Sequence, residues 1–103
     1  MRFLLKAEMA MDKGNAAICD GSLPQIIQSI LDEVKPEAAY FLAANGTRTV
    51  LLIVNMQDAS QIPSLVEPWF LALGARIEMI PVMVLDDIKK AGPAIEQACK
   101  KYA

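Results

Sequence analysis

Asn45-Gly46 stands between two apolar runs, Ala38–Ala43 before it and Thr47–Val54 after it. Both residues tolerate positive φ, so the pair marks a two-residue hairpin turn between strands. Direct pairing across such a turn sets Ala44 against Thr47, Leu42 against Thr49 and Tyr40 against Leu51. Phe41 then faces Val50 on the opposite side of the sheet. A slip of one residue would turn every side chain over, so this dipeptide constrains the whole middle of the chain.

The flanking segments fall into place around the hairpin. Residues 2–9 alternate, with Phe3, Leu5, Ala7 and Met9 on one face and Arg2, Leu4, Lys6 and Glu8 on the other, which predicts a strand. Asp12-Lys13-Gly14-Asn15 reads as a turn, and Asn15 as the cap of a short helical turn over 16–20. After Gly21, Ser22 and Gln25 have the spacing of a capping box, and Pro24 is tolerated in a first turn. Leu23, Ile26, Ile27, Ile30, Leu31 and Val34 recur at three and four and predict a helix that Pro36 ends.

A second helix is expected after Asp58-Ala59-Ser60. Its apolar residues are Ile62, Leu65, Val66, Trp69, Phe70 and Leu73, and Gly74 stops it. Trp69 and Phe70 are read as core, and the interior Pro68 predicts a kink near Ser64. Residues 75–83 read as the last strand. Pro81 cannot donate to a ladder, so that strand belongs at an edge. A short helix over 86–91, with Asp86-Asp87 at its start, and a final helix from Pro93 through Tyr102 complete the chain.

The resulting order, β-α-β-β-α-β, predicts an α+β, ferredoxin-like split βαβ fold with an extra C-terminal helix, in one domain spanning residues 1–103. Right-handed crossovers put the helices on one face of a four-stranded antiparallel sheet. The other face is then bare, and it carries Leu4, Lys6, Glu8, Tyr40, Leu42, Leu51, Ile53, Asn55, Glu78, Ile80 and Val82. Hydrophobic residues are 54% of the chain. A chain so small and so apolar cannot cover its own surface, which predicts a homodimer through the bare face.

Ten Lys and Arg against twelve Asp and Glu give a net charge of -2. No basic stripe is present to neutralise phosphates, so nucleic acid is not an expected partner. The apolar run Phe3–Leu5 is far too short for a signal peptide and no stretch approaches a membrane span, so a cytoplasmic protein that does not engage a membrane is expected. Cys19 and Cys99 are far apart and read as reduced thiols. The absence of histidine removes Ser-His and Cys-His nucleophile pairs and imidazole metal sites. No cofactor and no metal site are expected, and Asp86-Asp87 reads as a helix cap.

Five residues of the bare face are the candidate ligand-binding set: Lys6, Glu8, Tyr40, Asn55 and Glu78. In the split βαβ fold the first and last strands are neighbours, so Lys6 or Glu8 meets Glu78. A half-buried carboxylate beside a lysine can hold a polar ligand or move a proton. Tyr40 with Asn55 offers a phenol and an amide to orient a carbonyl or quinone-like group. An ordinary cross-strand ion pair and an interface tyrosine are the structural alternatives.

Several segments carry a family likeness: Met1-Arg2-Phe3-Leu4-Leu5-Lys6, Lys35-Pro36-Glu37-Ala38-Ala39-Tyr40-Phe41, Ile62 through Phe70, Ile80-Pro81-Val82-Met83 and Asp86-Asp87-Ile88. In these the chain resembles small bacterial proteins of unknown function in the dimeric α/β-barrel superfamily. The resemblance implies a barrel formed by two sheets, and no catalytic residue. The expected function is a homodimer binding a small apolar or aromatic molecule at the sheet. The alternatives are a cofactor-independent isomerase or monooxygenase acting on a quinoid or aromatic substrate, and a purely structural or partner-binding dimer.

Overall fold

In the computed structural model, which describes residues 1–103, the elements follow the order β1 (Arg2–Glu8), α1 (Met11–Cys19), α2 (Leu23–Val34), β2 (Ala38–Ala44) and β3 (Thr47–Asn55). A short 3-10 turn (Ala59–Gln61) leads into α3 (Ile62–Leu73), then β4 (Arg76–Pro81), α4 (Leu85–Lys90) and α5 (Gly92–Tyr102). The four strands form one antiparallel sheet in the order β2-β3-β1-β4. That is the ferredoxin-like arrangement, with an additional helical segment at the C-terminal end.

The hairpin forms as the Asn-Gly pair dictates. Asn45 has φ 54° and Gly46 φ 72°, the left-handed pair of a type I′ turn. Ala44 pairs with Thr47, Leu42 with Thr49, Tyr40 with Leu51 and Phe41 with Val50. β4 lies at the sheet edge with Pro81 as its last residue, where the missing amide costs no ladder bond.

The core lies between the sheet and α1–α3. Leu5, Ala7, Val50, Leu52 and Val54 supply the sheet side; Leu23 and Ile30 of α2 and Leu65, Val66, Trp69 and Leu73 of α3 close over them. Trp69 is fully buried, and its Nε1 is the one buried side-chain polar atom without a hydrogen-bond partner. Phe70, read from the sequence as core, is 40% exposed. A 3.6-residue period turns it past the sheet towards solvent.

Two local readings need correction. Residues 12–15 are not a turn: α1 begins at Met11 and runs through Gly14 and Asn15. Asn15 therefore caps nothing; its Oδ1 accepts a hydrogen bond from Arg48 Nη1 at 2.8 Å. Ser22 is the residue before α2, but its side chain makes no capping bond. Its backbone N–H instead donates to Asp20 Oδ1 at 2.8 Å, so Asp20 organises this corner. α3 is one continuous helix with Pro68 inside it.

The C-terminal segment stands apart. The radius of gyration is 17.3 Å and the principal extents are 59 × 28 × 20 Å, whereas a compact domain of this length has a radius near 13 Å. The excess comes from residues 83–103. All of 83–90 and 93–103 are exposed, and neither α4 nor α5 contains a buried residue.

Candidate functional site

Period two distributes the strand residues between the two sheet faces. The face without helices carries Leu4, Lys6 and Glu8 from β1, Tyr40 and Leu42 from β2, Thr49, Leu51 and Ile53 from β3, and Arg76, Glu78 and Ile80 from β4. Tyr40 is 62% exposed, and Leu42 and Ile80 are exposed as well. Nothing in the chain covers this surface.

Its polar centre is a two-by-two arrangement of charge. Lys6 lies opposite Glu78, and Glu8 lies opposite Arg76, so the signs alternate along and across β1 and β4. Lys6 Nζ closes on Glu8 Oε1 of its own strand at 3.1 Å. The two side chains are only 25% and 17% exposed despite lying on an uncovered face, shielded by their neighbours on the pleat. On the other side, Lys6 pairs with Leu51 and Glu8 with Thr49. Thr49 is buried, and its hydroxyl turns back on the hairpin, donating to the Thr47 carbonyl at 3.2 Å.

The sequence-derived set is thus partly assembled. Lys6, Glu8 and Glu78 share one patch, with the ion pair running along β1 rather than across to Glu78. Tyr40 is on the same face, two strands away from β1 and opposite Leu51. Asn55 does not join it. Four residues of extended chain separate Asn55 from Leu51, about 13 Å, and Asn55 Oδ1 accepts from the Met1 amine at 2.8 Å. Tyr40 and Asn55 therefore cannot clamp one small ligand within a single chain.

Arg76 and Thr49 were missed. Arg76 could have been found from the sequence, since it stands two residues from Glu78 and so shares its face. Thr49 carried no such signal, because its burial depends on neighbours from two other strands.

The concavities of the single chain lie elsewhere. The largest, about 560 Å³, is a groove between α2 and α3 lined by Gln25, Ile26, Ser29, Ile30, Glu33, Pro68, Leu71 and Ala72. A smaller hollow of about 230 Å³ touches the patch at its rim, bringing Glu8 and Arg76 together with Thr47 and Met9–Met11. The space between helices and sheet is filled by core side chains, so a ligand at the sheet must bind on the open face.

No group of three or more His, Cys, Asp or Glu side chains has the geometry of a metal site. No helix is long and apolar enough to cross a membrane. No protein-family model matches the chain, and no curated protein matches it either.

Proposed function

We propose that the chain works as a homodimer whose open sheet faces stack, in the manner of a dimeric α/β barrel, and enclose a small apolar or aromatic molecule beside the Lys6–Glu8 pair. One observation carries the reading: a shielded ion pair set in an exposed field of Tyr40, Leu42 and Ile80. Water is a poor neighbour for the apolar part, and a bare apolar wall is a poor neighbour for the charges. A second copy of the same face supports both, because a two-fold axis brings identical patches together and leaves their polar centres to line a shared space. The ligand suited to that space has a flat apolar body, for the leucines and Tyr40, and one anionic or carbonyl group for Lys6. Two exposed free thiols, Cys19 and Cys99, fit a reducing cytoplasm.

Light scattering and titration with anilinonaphthalene sulfonate, a flat apolar anion, test the two halves of the reading. A dimer is expected at micromolar concentration, and Leu42→Asp, on the same face but with no cation opposite it, should make it monomeric, since an unpaired charge buried at a dry interface costs several kcal/mol. Saturable dye binding is expected, weakened about tenfold by Lys6→Met. A well-folded wild-type monomer removes the dimer, and dye affinity unchanged in Lys6→Met removes the site.

A further inference from the structure

The two edges of the sheet are built differently. β4 carries Arg76 and Glu78 and ends on Pro81, and charges and proline are the usual protection of an exposed edge. β2 has no such device. Its seven residues, Ala-Ala-Tyr-Phe-Leu-Ala-Ala, include no charge, proline or glycine, and none of them is buried. Phe41 belongs to the face that carries the helices, beside Val50, yet it is 56% exposed, so the helices leave it uncovered.

The backbone of β2 is open on its outer side. Antiparallel ladders alternate, and two bonds fix the phase of this one. The Ile53 carbonyl accepts from the Glu37 N–H at 2.8 Å, and the Arg48 carbonyl accepts from the Met9 N–H at 2.9 Å. Thr49, Leu51 and Ile53 therefore bond towards β2, through Leu42, Tyr40 and Ala38. The N–H and C=O groups of Ala39, Phe41 and Ala43 point away from the sheet, and none of them bonds to a turn or loop.

A row of alternating donors and acceptors selects a strand as its partner. The sequence selects which strand. β2 reads nearly alike in both directions about Phe41: Ala38 mirrors Ala44, Ala39 mirrors Ala43, and Tyr40 mirrors Leu42. A two-fold axis demands that self-complementarity, and a partner of unrelated sequence does not.

We propose that β2 pairs antiparallel with β2 of a second copy, with the two-fold axis through Phe41. Ala39 then lies opposite Ala43 of the second copy and Phe41 opposite its own counterpart, and each such pair exchanges both of its backbone bonds. Donor meets acceptor at every outward group, no charge meets its like, and the exposed phenyl rings are set side by side. The protected β4 edges lie at the two outer ends. The pairing therefore stops at one continuous sheet and does not run on as a filament. A seam one strand long, about 23 Å, is small, and it makes a weak, reversible association above the micromolar range. It uses an edge and not the open face, so it does not rest on the stacked dimer proposed above.

Cysteine cross-linking of the full chain at high concentration tests it. Cys19→Ser and Cys99→Ser remove the native thiols, and Ala39→Cys or Ala43→Cys adds one back. Both positions lie on the helix-side face, so stacking of the open faces holds their thiols apart. Opposed residues of the paired strands stand about 5.5 Å apart at Cα, within disulfide reach, whereas like positions are offset by about 13 Å. In a mixture of the two variants, mild oxidation should join position 39 to position 43 roughly tenfold faster than either position to itself. Phe41→Lys, at an exposed position, should suppress the reaction by placing two ammonium groups on the axis. Equal rates, or a preference for like positions, overturn the proposal and leave the edge to an extended segment of another protein. A rate unchanged by Phe41→Lys also overturns it. Neither result touches the stacked dimer, whose tests read the open face at micromolar concentration.

Discussion

Arg48 of β3 reaches over α1 and donates from Nη1 to Asn15 Oδ1 at 2.8 Å. The guanidinium passes so close to Gly14 that a Cβ there would lie 3.1 Å from the same nitrogen. Gly14 and Asn15 look like helix breakers in isolation, and together they make the bay that receives this side chain. Arg48→Met should release α1 from the sheet and lower the unfolding free energy by about 1 kcal/mol, the usual net worth of an intramolecular hydrogen bond and the low end for this exposed one. A urea titration with an unchanged slope and a lower midpoint is the expected result. An unchanged midpoint would mean that the link contributes nothing.

Gly46 and Gly74 share a left-handed backbone, φ 72° and 56°, but not their surroundings. A Cβ at Gly46 meets open space, whereas at Gly74 it would lie 3.2 Å from Lys13 Cδ and 3.3 Å from Ala10 Cβ. Gly46→Ala should therefore cost only the conformational term, about 1 kcal/mol. Gly74→Ala should cost more, because the junction of α1 with the end of α3 must open as well. Equal losses in the two variants would show that the contact at Gly74 relaxes freely.

The hairpin and the sheet order were legible because they rest on local chemistry: positive φ at Asn45 and Gly46, period two in the strands, and the handedness of crossovers. α1 was not, because Arg48, 33 residues from Asn15, holds it in place. Lys6, Glu8 and Glu78 were legible as a shared face, but the choice of Glu8 over Glu78 as the partner of Lys6 is a matter of side-chain rotamers that no spacing encodes. Tyr40 and Asn55 share a face, but the hairpin register puts Asn55 four residues beyond Leu51, the partner of Tyr40, so the two stand apart within one chain. The amphipathic α5 was readable as a helix; that it leaves the body was not, because nothing in a sequence states which surface an apolar stripe will meet.

Asp20 gives the fold a small acid sensitivity. Its carboxyl is held below the ordinary value of 3.8 first by the Ser22 side chain and then by the Ser22 backbone N–H. A depressed pKa means that the carboxylate form is favoured in the folded state, so its stabilisation is complete above the ordinary aspartate range. It is lost as the pH falls through that range to the folded value. Asp20→Asn should thus lower the urea midpoint slightly at pH 7, and the gap to wild type should shrink at pH 3. A gap that is constant with pH would mean that the corner is held by shape rather than by charge.

Trp69, the only tryptophan, reports on the core without any label. The indole is fully buried and its N–H has no partner, a burial that costs about 1–3 kcal/mol and is offset by the apolar contacts of the ring. With the ring fully buried and no protein acceptor at the N–H, emission should be strongly blue-shifted relative to free tryptophan and insensitive to acrylamide. Trp69→Phe removes the unsatisfied donor but leaves a void under α3, and the two effects oppose each other. The net loss should fall below the 3–5 kcal/mol typical of truncating a core tryptophan to alanine. Trp69→Leu keeps no ring and should lose more than Trp69→Phe. Red-shifted, readily quenched emission from the native protein would show that water reaches the indole, and the packing of α3 on the sheet would then have to be looser than described.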